Sequence, residues 1–127
     1  MANTKNTWFD SGYVPFTTAA EITKHQLVKL SAANTVNVCG AGETAIGVCM
    51  QTTASGGEAP IKLITGPGTL PCIAAGAIAA GAAVYTAADG EVNDVQTGSG
   101  GIVGYAKGTI AADGDSAEIV PGVIAST

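Results

Sequence analysis

The residues able to do chemistry are few and scattered. His25 is the sole histidine. A catalytic triad needs a histidine oriented by a carboxylate and touching a nucleophile, and the chain has no G-x-S-x-G elbow or other nucleophile motif. A histidine-based metal site lacks its second imidazole. Asp113-Gly-Asp115-Ser-Ala-Glu118 has the outline of a calcium loop. It departs from the D-x-D-x-D-G pattern and lacks the downstream bidentate glutamate, so it reads as a tight turn leading into a strand. Gly98-Ser-Gly-Gly-Ile-Val-Gly104 could cradle a phosphate only if a helix followed it, and residues 102–106 read as a strand. Cys39, Cys49 and Cys72 form no C-x-x-C pair and are odd in number. They read as reduced, buried thiols of a protein made in a cytoplasm. No catalytic, cofactor-binding or metal-ligating residue is assigned, and the expectation is a non-enzyme without cofactor.

The 127-residue chain is long enough for one compact domain. It has no arginine, and five lysines face ten carboxylates, a net charge of -5. Nucleic-acid binding needs clustered cations that displace counterions from phosphates. Here Lys5, Lys24, Lys29, Lys62 and Lys107 stand singly. That argues against a nucleic-acid partner and against an anionic membrane surface. The uncharged stretch 63–88 is interrupted by Pro67, Pro71, Gly76 and Gly81 and is too alanine-rich for a spanning helix. No signal-peptide pattern is expected at the polar N-terminus. Charged residues are only 12% of the chain. Such small, weakly charged surfaces are easily desolvated, which suits a protein that meets other proteins, including copies of itself.

The elements that would position these residues repeat at a spacing of 56 to 57. Ile22, Val28, Ala32, Val36 and Asn37 match Ile78, Val84, Ala88, Val92 and Asn93. Ile46-Gly47-Val48 matches Val103-Gly104-Tyr105, and Thr52 to Glu58 aligns with Thr109 to Asp115. Within each copy, apolar residues alternate with period two, as in Val28/Leu30 and Ile46/Val48/Met50. Ala33-Asn34 and Asp89-Gly90 read as hairpin turns. Gly47 and Gly104, inside apolar runs, mark bulges or close backbone approach. The best helix candidate is 17–25. The expected fold is all-β: a small barrel or sandwich of two similar units, about 19–64 and 75–120, within one domain of residues 19–127.

An extended arm, residues 1–18, is expected in front of this domain. It is polar at first, then carries Trp8, Phe9, Tyr13 and Phe16 around the extended pair Val14-Pro15. Buried aromatics dominate interface energetics, so the arm is expected to anchor on a partner.

The run Gln26-Leu-Val-Lys-Leu, then Val36, Gly42-Glu-Thr-Ala-Ile-Gly-Val48, Glu58-Ala-Pro-Ile-Lys-Leu63 and Gly66 resembles the core of lambda-type head decoration proteins. Ala75-Gly-Ala-Ile-Ala-Ala-Gly-Ala-Ala-Val-Tyr-Thr-Ala-Ala-Asp-Gly-Glu-Val is similar to the small phage capsid cement proteins. Those proteins follow it with an I-G-x-A segment, here Val103-Gly-Tyr-Ala106. The resemblance spans roughly residues 19–121. It implies a structural virion protein on the outer surface of a mature tailed-phage capsid, made in the host cytoplasm. It also implies a homotrimer that clamps neighbouring major-capsid subunits. The arm residues Trp8, Phe9, Tyr13, Val14, Pro15 and Phe16 would then be the capsid contacts. The rival readings are another β-rich virion module, from a tail tube or fibre, and a small-ligand-binding β-barrel.

Overall fold

A computed structural model describes residues 13–65, 68–98 and 101–121. Ten strands run through them: β1 (Tyr13–Thr18), β2 (Leu27–Ala32), β3 (Thr35–Val38), β4 (Gly47–Cys49), β5 (Glu58–Leu63), β6 (Leu70–Ile73), β7 (Ala83–Thr86), β8 (Val92–Asn93), β9 (Ile102–Ala106) and β10 (Ser116–Pro121). The chain is all-β, with one 3-10 turn at Ala88–Gly90 among the described residues. Left-handed backbone at Asn34 (φ 55) and at Asp89 and Gly90 (φ 60 and 71) closes the β2–β3 and β7–β8 hairpins. Short polar or glycine residues tolerate that conformation.

The first half is a closed barrel in the order β1-β3-β2-β4-β5. The second is a five-stranded sheet, β6-β10-β9-β7-β8. Its pairings reproduce those of the first half. Val28 pairs with Gly47, and Val84 with Gly104. The bridge Ile22↔Thr53 returns as Ile78↔Ile110. Phe16↔Ala59 returns as Cys72↔Ala117. Thr18↔Val36, in the parallel β1–β3 ladder, returns as the single parallel bridge Ala74↔Val92. The spacing grows from 56 at the first strand to 57 at β4/β9 and 58 at β5/β10.

Three expectations are corrected. Residues 13–18 were expected in the arm, but they form β1, the first strand of the duplicated unit and the counterpart of β6. Five residue pairs tie β1 to β5, from Tyr13↔Lys62 to Thr17↔Glu58. Its burial alternates residue by residue, because one face of a strand looks inward. The repeat therefore begins before residue 19. Glu58 corresponds to Ser116 and not to Asp115, since a further residue enters the second copy ahead of β10. Residues 17–25 hold no helix. Ile22 is bridged to Thr53, and His25 sits at φ 75, outside the helical region. Its counterpart Gly81 has φ 81, so both copies make the same left-handed turn.

The two halves share apolar interior. Ile22, Val28, Val36, Cys49, Ala59 and Ile61 fill the first barrel, with Phe16 packed against them. Leu27, Cys39 and Val48 of the first half belong to the second half's core, alongside Leu70, Cys72, Val84, Val92, Val103 and Ile119. Polar ties rim this joint. The Gly90 amide donates to the Cys39 carbonyl at 2.9 Å, and Gln26 Nε2 donates to the Asp89 carbonyl at 2.8 Å. The buried Thr86 hydroxyl accepts from the Gly42 amide and donates to the Glu43 carbonyl, both at 3.1 Å. Cys39, Cys49 and Cys72 are free and buried. Burial pushes the Cys72 thiol up to about 12 and the Cys39 thiol up to about 11, which keeps both protonated and poorly nucleophilic.

Gly47 and Gly104 stand where the neighbouring strand's backbone comes too close for a side chain. A Cβ at Gly47 would overlap the Lys62 carbonyl, and one at Gly104 would lie 2.8 Å from Pro121 Cα. The duplicated glycine thus serves the same close approach in both copies. Gly104→Ala is expected to destabilise the fold by about 2 kcal/mol, in the range of forced overpacking. Chemical denaturation would check this, with Gly76→Ala as the comparison, since a Cβ there meets nothing within 4 Å.

Candidate functional site

An open groove of about 410 Å³ runs along the junction of the halves. Tyr13, Met50 and Lys62 line it from the first half, and Thr69, Pro71 and Glu118 from the second. Its position follows from the strand register. Tyr13 opens β1 directly opposite Lys62 on β5, so both side chains leave the barrel on the same face. The Lys62 ammonium lies 5.4 Å from the centroid of the Tyr13 ring, a cation–π distance. Lys62 is only 6% exposed although it carries a charge. It lines the groove beside that ring.

Glu118 forms the opposite wall. Its carboxylate accepts from the Thr69 hydroxyl at 2.6 Å and from the Lys107 ammonium at 3.2 Å. The Thr69 hydrogen bond, followed by that of Lys107, holds its pKa below the ordinary glutamate range. A second hollow of about 310 Å³ lies beyond Glu118, lined by Lys107, Gly108, Thr109 and Ile110. The groove therefore offers an aromatic ring, a thioether, a proline and one charge of each sign. Such a mixture can hold an extended peptide segment. Among the described residues, no group of three or more His, Cys, Asp or Glu is arranged to hold a metal ion.

The contact residues named from sequence divide into three sets. Trp8 and Phe9 lie outside the described residues. Tyr13 and Pro15 are exposed on the outer side of β1. Val14 and Phe16 are half-buried on the inner side, Val14 paired with Ile61 and Phe16 packed against the first core. Phe16 thus serves its own barrel. The groove's Lys62, Thr69 and Glu118 were missed, because each looks like an ordinary strand residue in sequence. His25 sits apart from the groove in its turn, its backbone amide bonded to the Cys49 carbonyl at 2.6 Å. Burial, then nearby Lys24, lowers its pKa, so it is neutral at pH 7. Asp113-Gly114-Asp115 forms a turn before β10, with the Gly114 amide bonded to the Ala74 carbonyl at 2.8 Å.

The fold so defined is an all-β one, a closed five-stranded barrel joined to a five-stranded sheet that repeats its pairings. The particular family is given by sequence: residues 10–121 match the phage cement proteins, and the chain belongs to that family. Among solved structures, it is similar to the N base of the head fibre gp8.5 of bacteriophage phi29. That similarity has a TM-score of 0.71 at 15% identity, covering 87% of this chain and 92% of the other, and it shows a shared fold. No curated protein sequence matches the chain.

The depressed pKa of Glu118 fixes a sign. Its partners stabilise the fold while it is ionised, above the unfolded glutamate pKa of about 4.3. That contribution is lost as pH falls through the lower folded value. An NMR titration should place the Glu118 midpoint below that of a free glutamate. In Thr69→Val the midpoint should rise toward the ordinary value, since the leading cause of the shift is removed.

Proposed function

We infer that this protein is a capsid cement protein that binds the outer surface of a mature phage head and stabilises it by clamping neighbouring major-capsid subunits. It acts as a homo-oligomer, with a trimer expected, and performs no catalysis. The observation that carries this reading is membership of the phage cement family over residues 10–121. Three further features support it. The chain is acidic and arginine-free, so a nucleic-acid partner is disfavoured. Its thiols are buried and reduced, which fits synthesis in a host cytoplasm. Tyr13 and Pro15 are exposed at the start of β1, a few residues after the aromatic Trp8 and Phe9 in sequence.

In this reading, residues 1–12 provide the capsid anchor, together with Tyr13 and Pro15. Trp8 and Phe9 would bury large apolar area on the major capsid protein, each contributing on the order of 1.5–3 kcal/mol when desolvated. Several arms on one oligomer would act together, turning weak single contacts into firm attachment. A second reading, as the base of a head fibre, draws on the similarity to the phi29 head-fibre base. Negative-stain microscopy separates the two: surface knobs support cement, and projecting rods support a fibre base.

Deleting residues 1–12 leaves all ten described strands intact. A deletion reaching residue 16 would remove most of β1 and open the barrel along β5. The shorter variant should therefore stay folded by circular dichroism and fail to co-sediment with expanded capsids, to which the full chain binds. If the truncated protein co-sediments as well as the full chain, the anchor lies on the barrel. If the full chain binds no capsids, the cement reading fails.

A further inference from the structure

Strand β1 outruns the hairpin beside it. β3 accompanies β1 only at Thr17↔Thr35 and Thr18↔Val36, because the chain enters β3 from the left-handed turn at Asn34. β5, on the other side, accompanies β1 from Tyr13 to Thr17. Among the described residues, no strand pairs with the β3-side edge of residues 13–16. Tyr13 and Pro15 are exposed there.

Printed along β1 by its hydrogen bonds is the direction of each amide. The Thr18 amide donates to the Gly57 carbonyl on the β5 side, and the Thr17 amide to the Asn34 carbonyl on the β3 side, both at 2.9 Å. Successive amides alternate along a strand, so those of Val14 and Phe16 face β5 and position 15 faces the open edge. That position is a proline, which has no N–H and whose ring fills the space a partner strand would approach. With the Thr17 amide already engaged, the open edge from Val14 to Thr17 has no donor to offer. The rest of the strand favours pairing. Tyr13-Val-Pro-Phe-Thr-Thr18 carries no charge and, Pro15 apart, consists of strong strand formers. Short uncharged segments of that kind on an open edge are templates for another chain. The second repeat makes the same placement. The Ala74 amide donates to the Asp115 carbonyl at 2.9 Å, so those of Leu70 and Cys72 face β10 and Pro71 faces away from it. Proline is the one residue that 13–18 shares, position by position, with 69–74.

We propose that Pro15 bars the open edge of β1 from pairing with the same strand of a second copy of this chain. Copies then meet through side-chain surfaces and do not polymerise by strand addition. Edge strands elsewhere are protected in the same way, by a proline placed on the unpaired side. The proposal goes beyond the proposed function and makes no use of capsid binding.

Sedimentation velocity of the full chain tests it, with Pro15→Thr as the variant and Pro60→Thr as the comparison. Pro60 stands opposite Pro15 on β5, a strand flanked by β1 and β4, so an N–H there recruits no further chain. Pro15→Thr should keep the wild-type circular dichroism and associate beyond the wild-type state, with self-association roughly ten-fold tighter or more. Pro60→Thr should not. Hydrogen exchange locates the contact: the amide at position 15 should exchange fast in the dilute variant and slowly in the associated one. N-methylalanine at position 15, which lacks an N–H, should behave as the wild type and so separates the missing donor from a change in packing. A folded Pro15→Thr protein as dispersed as the wild type would overturn the proposal. So would an amide at position 15 already protected in the dilute variant, or an N-methylalanine variant that associates as strongly as Pro15→Thr. Loss of the fold in Pro15→Thr would overturn it too, since Pro15 would then be a requirement of the barrel itself. None of these readouts needs a capsid, so failure here and failure of capsid binding are separate results.

Discussion

Everything in this molecule depends on the burial of Leu27 and Val48 in the core of the second repeat. A single unit of five short strands encloses little apolar volume. The first barrel holds a small set of residues around Ile22, Val28 and Ile61. The second sheet is joined across its seam by one bridge, Ala74↔Val92. Leu27, Cys39 and Val48 complete that core from outside, and burying such side chains contributes about 1.5–3 kcal/mol for each large one. The joint makes two marginal units one cooperative body. It also fixes the groove, because Tyr13 and Lys62 on one side and Thr69 and Glu118 on the other face each other only when the halves are docked.

Much of this architecture is legible in the sequence because duplication leaves paired marks. Gly47 and Gly104 keep the same close approach, and Ile22 and Ile78 keep the same bridge. The hairpins at Asn34 and Asp89-Gly90 are readable from turn chemistry. The weight of aromatic residues hides the start of the repeat. Trp8, Phe9, Tyr13 and Phe16 read as one continuous arm, whereas Val14-Pro15-Phe16 on β1 matches Leu70-Pro71-Cys72 on β6. The conserved element there is an alternating strand with an outward proline. Phe16 and Cys72 differ in size yet fill equivalent inward sites. The step of one residue before β10 was hidden for a related reason, since an Asp-Gly-Asp turn and a Gly-Gly-Glu turn carry no packing signal to set register.

The candidate site was harder to read, for physical reasons. Lys62 is an unremarkable lysine until the register sets it opposite Tyr13 and the fold buries it. Glu118 gains its character from Thr69, 49 residues away. His25 sits in a left-handed turn that its repeat partner fills with glycine, with Lys24 as a charged neighbour that lowers its pKa.

The central claim is that a phage cement protein built from a closed barrel joined to a second, similar sheet binds the outside of a mature head. Cryo-electron microscopy of the intact phage is the most direct measurement. The account predicts density for the two joined β units on the outer capsid surface, with the Tyr13 end of β1 turned toward the major capsid protein. Density for this fold confined to the tail or to the capsid interior, or none on the head, would contradict it.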